Sequence, residues 1–148
     1  GILTLQAGRP FGVGAANNAV AGAGSALADL VGEGYPVLDS GRSKGERLNS
    51  YFDKARFANP APNTSGTLGR NVLIGPGFAN MDVSLAKGWR LPFFGEKGTF
   101  EYRFEAFNLW NATHISLPIT GLTNPNFGRI TSTDGDPRIL QMALKVGW

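Results

Sequence analysis

"ILQMALKVGW", residues 139–148, is the stretch whose reading decides the fold. Leu140, Met142, Leu144, Val146 and Trp148 share one parity; Gln141, Ala143, Lys145 and Gly147 share the other. An extended strand turns successive side chains to opposite faces, so this segment is a strand with one apolar and one polar face. Its length also suits a tilted membrane crossing, which takes about 9–11 residues.

Three more segments alternate in the same way. In Ile2–Ala7, Leu3, Leu5 and Ala7 oppose Thr4 and Gln6. In Asn80–Lys87, Met81, Val83 and Leu85 oppose Asp82, Ser84 and Ala86. In Thr99–Trp110, Phe100, Tyr102, Phe104 and Ala106 oppose Glu101, Arg103 and Glu105. The expected fold class is therefore all-β, with antiparallel strands. Alternation by itself is shared by a soluble sandwich, whose polar face meets water, and a membrane barrel, whose apolar face meets lipid.

The connections favour the barrel. "GWRLPFFGEKG", 88–98, is a short turn built on Pro92, Gly95 and Gly98. The other connections, 8–79 and 111–137, are long. Short turns on one side and long loops on the other characterise bacterial outer-membrane barrels. Trp89, Phe93, Phe94 and Trp148 fall at the short-turn end, and Trp110 and Phe127 near the long-loop end. Aromatic rings favour the two membrane interfaces. Four strands cannot close a barrel, so the remaining strands are expected before Gly1 or from other copies. The chain, which starts at Gly1 without Met, is read as a fragment or processed product.

Composition agrees. The chain has 148 residues, with 21 Gly and 9 Pro, both of which favour turns and loops over element interiors. Charged residues make up 17%, below the quarter usual for soluble domains. A net charge of +3 with interspersed signs gives no reason to expect nucleic acid. Arg42, Lys44, Arg47, Lys54 and Arg56 are interleaved with Asp39, Glu46 and Asp53, which reads as a solvated loop. With no Cys there is no disulfide framework and no thiol nucleophile.

The long loop 8–79 has parts. A weak helix is expected around Ala19–Val31, opposed by Gly22 and Gly24. Residues 58–77 are rich in Pro, Asn and Gly and are expected to be ordered by turns and not by a core.

Chemical motifs are sparse. His114 has no partner ligands at metal spacing and reads as loop surface. Asp134-Gly135-Asp136 lacks the later ligands of a calcium loop and reads as a turn. "GVGAAN", 12–17, and "GEKGT", 95–99, miss the spacing of nucleotide and phosphate loops. Asn63-Thr64-Ser65 and Asn111-Ala112-Thr113 fit a glycosylation sequon that is idle in a bacterial barrel. No cofactor, metal or catalytic residue is expected. Glu101, Arg103 and Glu105 form a ladder along one wall, and charge pairing across strands, with Lys145 as neighbour, is favoured over contact with a plug or a passing substrate.

Four stretches carry a family resemblance: "GILTLQAGRPF" at 1–11, "YFDKARFANPAPNTSGTLGRNVLIGPGFANMDVSLAKGW" at 51–89, "FEYRFEAFNLWN" at 100–111 and "NFGRITSTDGDPRILQMALKVGW" at 126–148. The chain resembles the C-terminal end of TonB-dependent receptors, closest to the large Oar-like group with a carboxypeptidase-regulatory-like N-terminal domain. The matching residues are Gly8, Arg9, Pro10 and Phe11, then Phe52, Asp53, Phe57, Ala58 and Pro60. Arg70, Asn71, Gly75, Pro76, Gly77, Asn80 and Asp82 follow. The series ends with Arg103, Glu105, Phe107, Asn108, Asn111, Phe127, Gly128, Ile130, Pro137 and Arg138. Residues 12–50 match nothing in the family and read as an insertion.

The resemblance implies an outer-membrane transporter that imports a large nutrient: a metal chelate, a carbohydrate or a peptide. It implies bacterial outer-membrane localisation and contact with outer-membrane lipid. The barrel-assembly machinery would read the C-terminal strand at Trp148, and TonB would act only through upstream regions absent from this chain. Leu140, Met142, Leu144, Val146 and Trp148 would face lipid; Glu101, Arg103, Glu105 and Lys145 would face the lumen. Segments 8–79 and 111–137 would be extracellular loops. The rival expectation is a separate structural protein that self-associates through its strand edges into a fibre or ring.

Overall fold

The computed structural model describes residues 1–15, 26–39, 41–94 and 97–148. In chain order the strands are β1 (Ile2–Gln6), β2 (Pro10–Phe11), β3 (Asp29–Leu30), β4 (Phe57–Ala58), β5 (Leu73–Ile74), β6 (Phe78–Arg90), β7 (Thr99–Phe107) and β8 (Ile139–Gly147). A single α-helix among the described residues, α1 (Lys44–Asn49), lies between β3 and β4. The fold is all-β and antiparallel, as the period-two patterns imply.

The chain divides into two compact units. The first comprises residues 1–6, 77–114 and 134–148, and holds a four-stranded sheet in the order β1-β6-β7-β8. Its register is continuous: Leu3 stands opposite Met81, Leu85 opposite Phe104, and Phe104 opposite Met142. β1 and β8 are the edges, and the sheet does not close on itself among the described residues.

Strand limits differ from those read in the sequence: β1 and β8 each stop one residue early, at Gln6 and Gly147, and β6 and β7 differ more. β6 is longer at both ends, because Phe78 and Ala79 pair with Gln6 and Leu5, while Gly88, Trp89 and Arg90 pair with Glu101, Phe100 and Thr99. β7 stops at Phe107 and not at Trp110. The next residue, Asn108, turns left-handed with φ 50°, a conformation Asn tolerates better than most residues. Its buried amide then fixes the corner: Oδ1 accepts from Ala112 N, and Nδ2 donates to the carbonyls of Ala112 and Asp136. Asp82 Oδ1 accepts from both Asn108 N and Asn80 Nδ2, anchoring the corner to β6.

The second unit comprises residues 7–76 and 115–133, a lobe drawn from both long connections. Its core is Phe11, Val13, Ala28, Phe52, Phe57, Leu68, Leu73 and Phe127. Phe52 is the hub: its ring lies 5.2 Å from Phe57 and 5.2 Å from Phe127, both edge-on, a favourable aromatic geometry. The expectation that 58–77 would lack a core is corrected by Leu68 and Leu73, which are 4% and 2% exposed. Phe127, expected at a membrane interface, is also corrected: it is 8% exposed within this core.

Main-chain bonds weld the two connections into one body. Gly14 N donates to Thr120 O, Leu122 N to Gly14 O, Tyr51 N to Gly128 O, and Ile130 N to Leu48 O. The neck of the first connection is β2 against β5, with Gly75 N donating to Arg9 O. Gly8 sits where any Cβ would collide with the Gly75 carbonyl, so only Gly allows that approach.

α1 arises from a capping box. The Ser43 hydroxyl accepts from Glu46 N, and the Glu46 carboxylate accepts from Ser43 N at 2.9 Å. The helix expected around Ala19–Val31 lies partly outside the described residues, in 16–25; its described end is extended, with Leu27 bridged to Gly14 and Asp29–Leu30 in β3. The motifs at 12–17 and 95–99 also lie partly outside the described residues.

Candidate functional site

The sheet has two chemically distinct faces, and the register assigns residues to each. One face carries Leu3 and Leu5 from β1, and Met81, Val83, Leu85 and Trp89 from β6. It continues with Phe100, Tyr102, Phe104 and Ala106 from β7, and Leu140, Met142, Leu144 and Val146 from β8. Most of these side chains are large, apolar and uncovered; Ala106 is small and buried, and the register also places charged Lys87 on this face, opposite Tyr102. Leu5 is 67% exposed, Leu85 62%, Met142 68% and Leu144 68%. An apolar surface this continuous is uncommon on a soluble domain and marks contact with lipid or another apolar body. Trp89 stacks on Phe100 at 5.4 Å, placing two rings near the short-turn end of that face. Trp148, at 86% exposed, follows at the end of β8.

The other face is polar. Glu101 stands opposite Lys145, Arg103 opposite Ala143 and Glu105 opposite Gln141. These six residues line one shallow depression. Arg103 Nη2 lies 3.0 Å from Glu101 Oε1 along the strand, and Ser84 Oγ donates to Glu105 Oε1 at 3.3 Å. The ladder read in the sequence is thus one wall, with small Ala143 between the longer side chains. The Arg103–Glu101 pair is solvent-exposed, so its attraction is worth little stability.

Both long connections leave the sheet at one end. Gln6 of β1 pairs with Phe78 of β6, and Phe107 of β7 pairs with Ile139 of β8. The opposite end is closed by the short turn after Arg90, where Leu91 N donates to Gly98 O. His114, expected at the loop surface, instead stacks on Phe78 with ring centroids 4.0 Å apart, and its Nε2 is buried.

The basic stretch of the lobe is not a loosely solvated loop either. Arg42 donates to the carbonyls of Asp39, Ser50 and Tyr51, and Arg56 donates to those of Val31 and Gly34. Each guanidinium therefore staples main chain that has no sheet partner. Hydrogen bonds from Ser43 hold the Glu46 carboxyl below its usual range. Burial pushes the Tyr51 phenol up, with Arg47 opposing by charge and by hydrogen bond. None of these roles was read from the sequence, although the Ser43-x-x-Glu46 spacing signalled the cap.

Among the described residues, no group of three His, Asp or Glu side chains is placed to hold a metal, and no helix is long and apolar enough to cross a membrane. A spanning β-sheet needs no such helix.

No curated protein matches the sequence, and no solved structure does. A family described as an outer membrane beta barrel domain matches residues 1–141. With its two-faced antiparallel sheet, the chain belongs to this outer membrane beta barrel domain family and is a protein of the bacterial outer membrane.

Proposed function

We propose that the chain is the closing, C-terminal segment of a TonB-dependent transporter of the Oar-like type, importing a large nutrient such as a metal chelate, a carbohydrate or a peptide. The observation that carries this reading is the asymmetry of the sheet. One face is apolar and bare, the other is a polar wall, and both long connections depart from a single end. Leu140, Met142, Leu144, Val146 and Trp148 then meet lipid, and Glu101, Arg103, Glu105 and Lys145 meet the aqueous lumen. The lobe faces the outside of the cell, and β8 with its terminal aromatic is the element read by the assembly machinery. β8 can be read in this way because an uncovered strand edge can add itself to another sheet. The protein has no catalytic role in this reading. Barrels of this class have at least eight strands, so the four found here close with others.

The test uses the full-length polypeptide that carries this chain. It is expected in the outer-membrane fraction with heat-modifiable migration, and its nutrient uptake should vanish when TonB is removed. Uptake indifferent to TonB would sink the transporter reading while leaving the barrel intact.

A second reading rests on the two sheet edges, β1 and β8. A chain acting alone could pair these edges with other copies into a ring or fibre. Size-exclusion and electron microscopy would show assemblies; a monodisperse monomer would end this reading.

A further inference from the structure

The lobe contains a cleft that neither the fold nor the polar wall of the sheet requires. The buried core residues Phe52 and Leu73 lie beneath it, and half-buried Leu38 forms its accessible apolar floor. Val37 and Ile74 form an apolar rim, 61% and 65% exposed. Arg42, Arg47 and Asp39 supply its charge. The empty space, counting the open mouth, is about 450 Å³. That admits a side chain or a chain end.

The charge balance narrows the occupant. Two guanidinium groups face one carboxylate in the lining, leaving a net positive site. Asp39 is engaged locally, its Oδ1 accepting from Gly41 N at 2.9 Å. Arg42 is fixed by three main-chain carbonyls, which orient it without neutralising it. Glu46 lies near Arg42 but outside the lining, with its carboxylate held by Ser43. Arg47, on the last turn of α1, lines the cleft with Tyr51, whose hydroxyl donates to the Ile74 carbonyl, and a guanidinium offers several donors to a ligand. A planar fork of donors beside an apolar floor matches a carboxylate attached to an apolar side chain.

We propose that this cleft binds the C-terminal end of a peptide, its carboxylate on Arg47 and its last side chain against Val37, Leu38 and Ile74. Arg42 acts as a fixed positive charge behind it. The proposal rests on the transporter reading and selects peptides from the nutrient classes that reading allows.

The probe is a tripeptide ending in phenylalanine, fluorescently labelled at its N-terminus, added to the purified full-length protein in detergent. Anisotropy should report saturable binding. Amidation of the peptide's C-terminus should weaken binding about tenfold or more, the usual worth of a charge-assisted hydrogen bond. Arg47→Ala should weaken the free-carboxylate peptide to the same degree, without further loss on amidation, and Arg47→Lys should recover part. Heat-modifiable migration of each variant guards against misfolding. Equal binding of the acid and amide forms, an unaffected Arg47→Ala, or no binding at all would overturn the proposal. Binding as expected without TonB-dependent uptake would keep the cleft and remove the transporter.

Discussion

The sheet and the lobe solve opposite solvent problems with one chain. In the sheet the large apolar residues are outside: Leu140 is 54% exposed, Met142 68% and Leu144 68%, while small Ala106 is the one buried hydrophobic residue among its described residues. In the lobe the order reverses, with four Phe rings and Leu73 packed inward and charged side chains turned to main-chain carbonyls or water. The apolar face of a sheet with no second layer packed on it escapes water only if lipid covers it. A lobe without long strands must build a core in the ordinary way. The contrast shows that residues called loops by strand counting can hold the better-packed part of a barrel protein.

The largest expected effect breaks the lobe alone. Phe52→Ala removes the hub of the core and should cost about 3–5 kcal/mol. Limited proteolysis should then cut within 7–76 while heat-modifiable migration persists. Loss of both together would mean that the two units are not separable.

Next comes the apolar face of the sheet. Leu144→Arg puts a charge near the middle of β8 and should cost about 2–4 kcal/mol if that face lies in lipid. The control is Gln141→Arg on the polar face, which should be tolerated. Assembly measured by the heat-modifiable fraction should fall for the first and hold for the second. Equal tolerance would contradict a lipid-facing assignment.

The smallest effects sit at α1. Ser43→Ala removes the cap and should cost about 1 kcal/mol of local stability. The Glu46 carboxyl titrates below its ordinary value of 4.5 because Ser43 bonds to its ionised form. A depressed folded pKa contributes stability above the unfolded pKa and loses it as pH falls through the folded one. Protection of the amides in 44–49, corrected for intrinsic exchange, should therefore fall below about pH 4.5, a dependence that Ser43→Ala weakens by removing the hydroxyl bond while leaving the main-chain one.

The sheet was largely legible in the sequence because period two is a local signal. Leu140, Met142, Leu144 and Val146 declare one face within eight residues, and the register confirms Glu101 opposite Lys145. What alternation missed were the ends: Phe78 and Arg90 are in β6 through their partners, and Asn108 ends β7 through a buried amide network. The lobe core was not legible. Phe11, Phe52, Phe57 and Phe127 lie far apart in the chain, follow no period, and meet only through contacts between the two long connections. The cleft shares that origin, since it lies over the same core.

The central claim is that one face of the sheet meets lipid and the other meets water. This chain has no Cys, so in a full-length protein freed of any Cys elsewhere, single substitutions from Leu140→Cys to Val146→Cys can each carry one spin label in bilayers. Labels at 140, 142, 144 and 146 should collide freely with oxygen, and those at 141, 143 and 145 with a water-soluble nickel complex. A flat profile, or one with the two sets exchanged, would contradict the account.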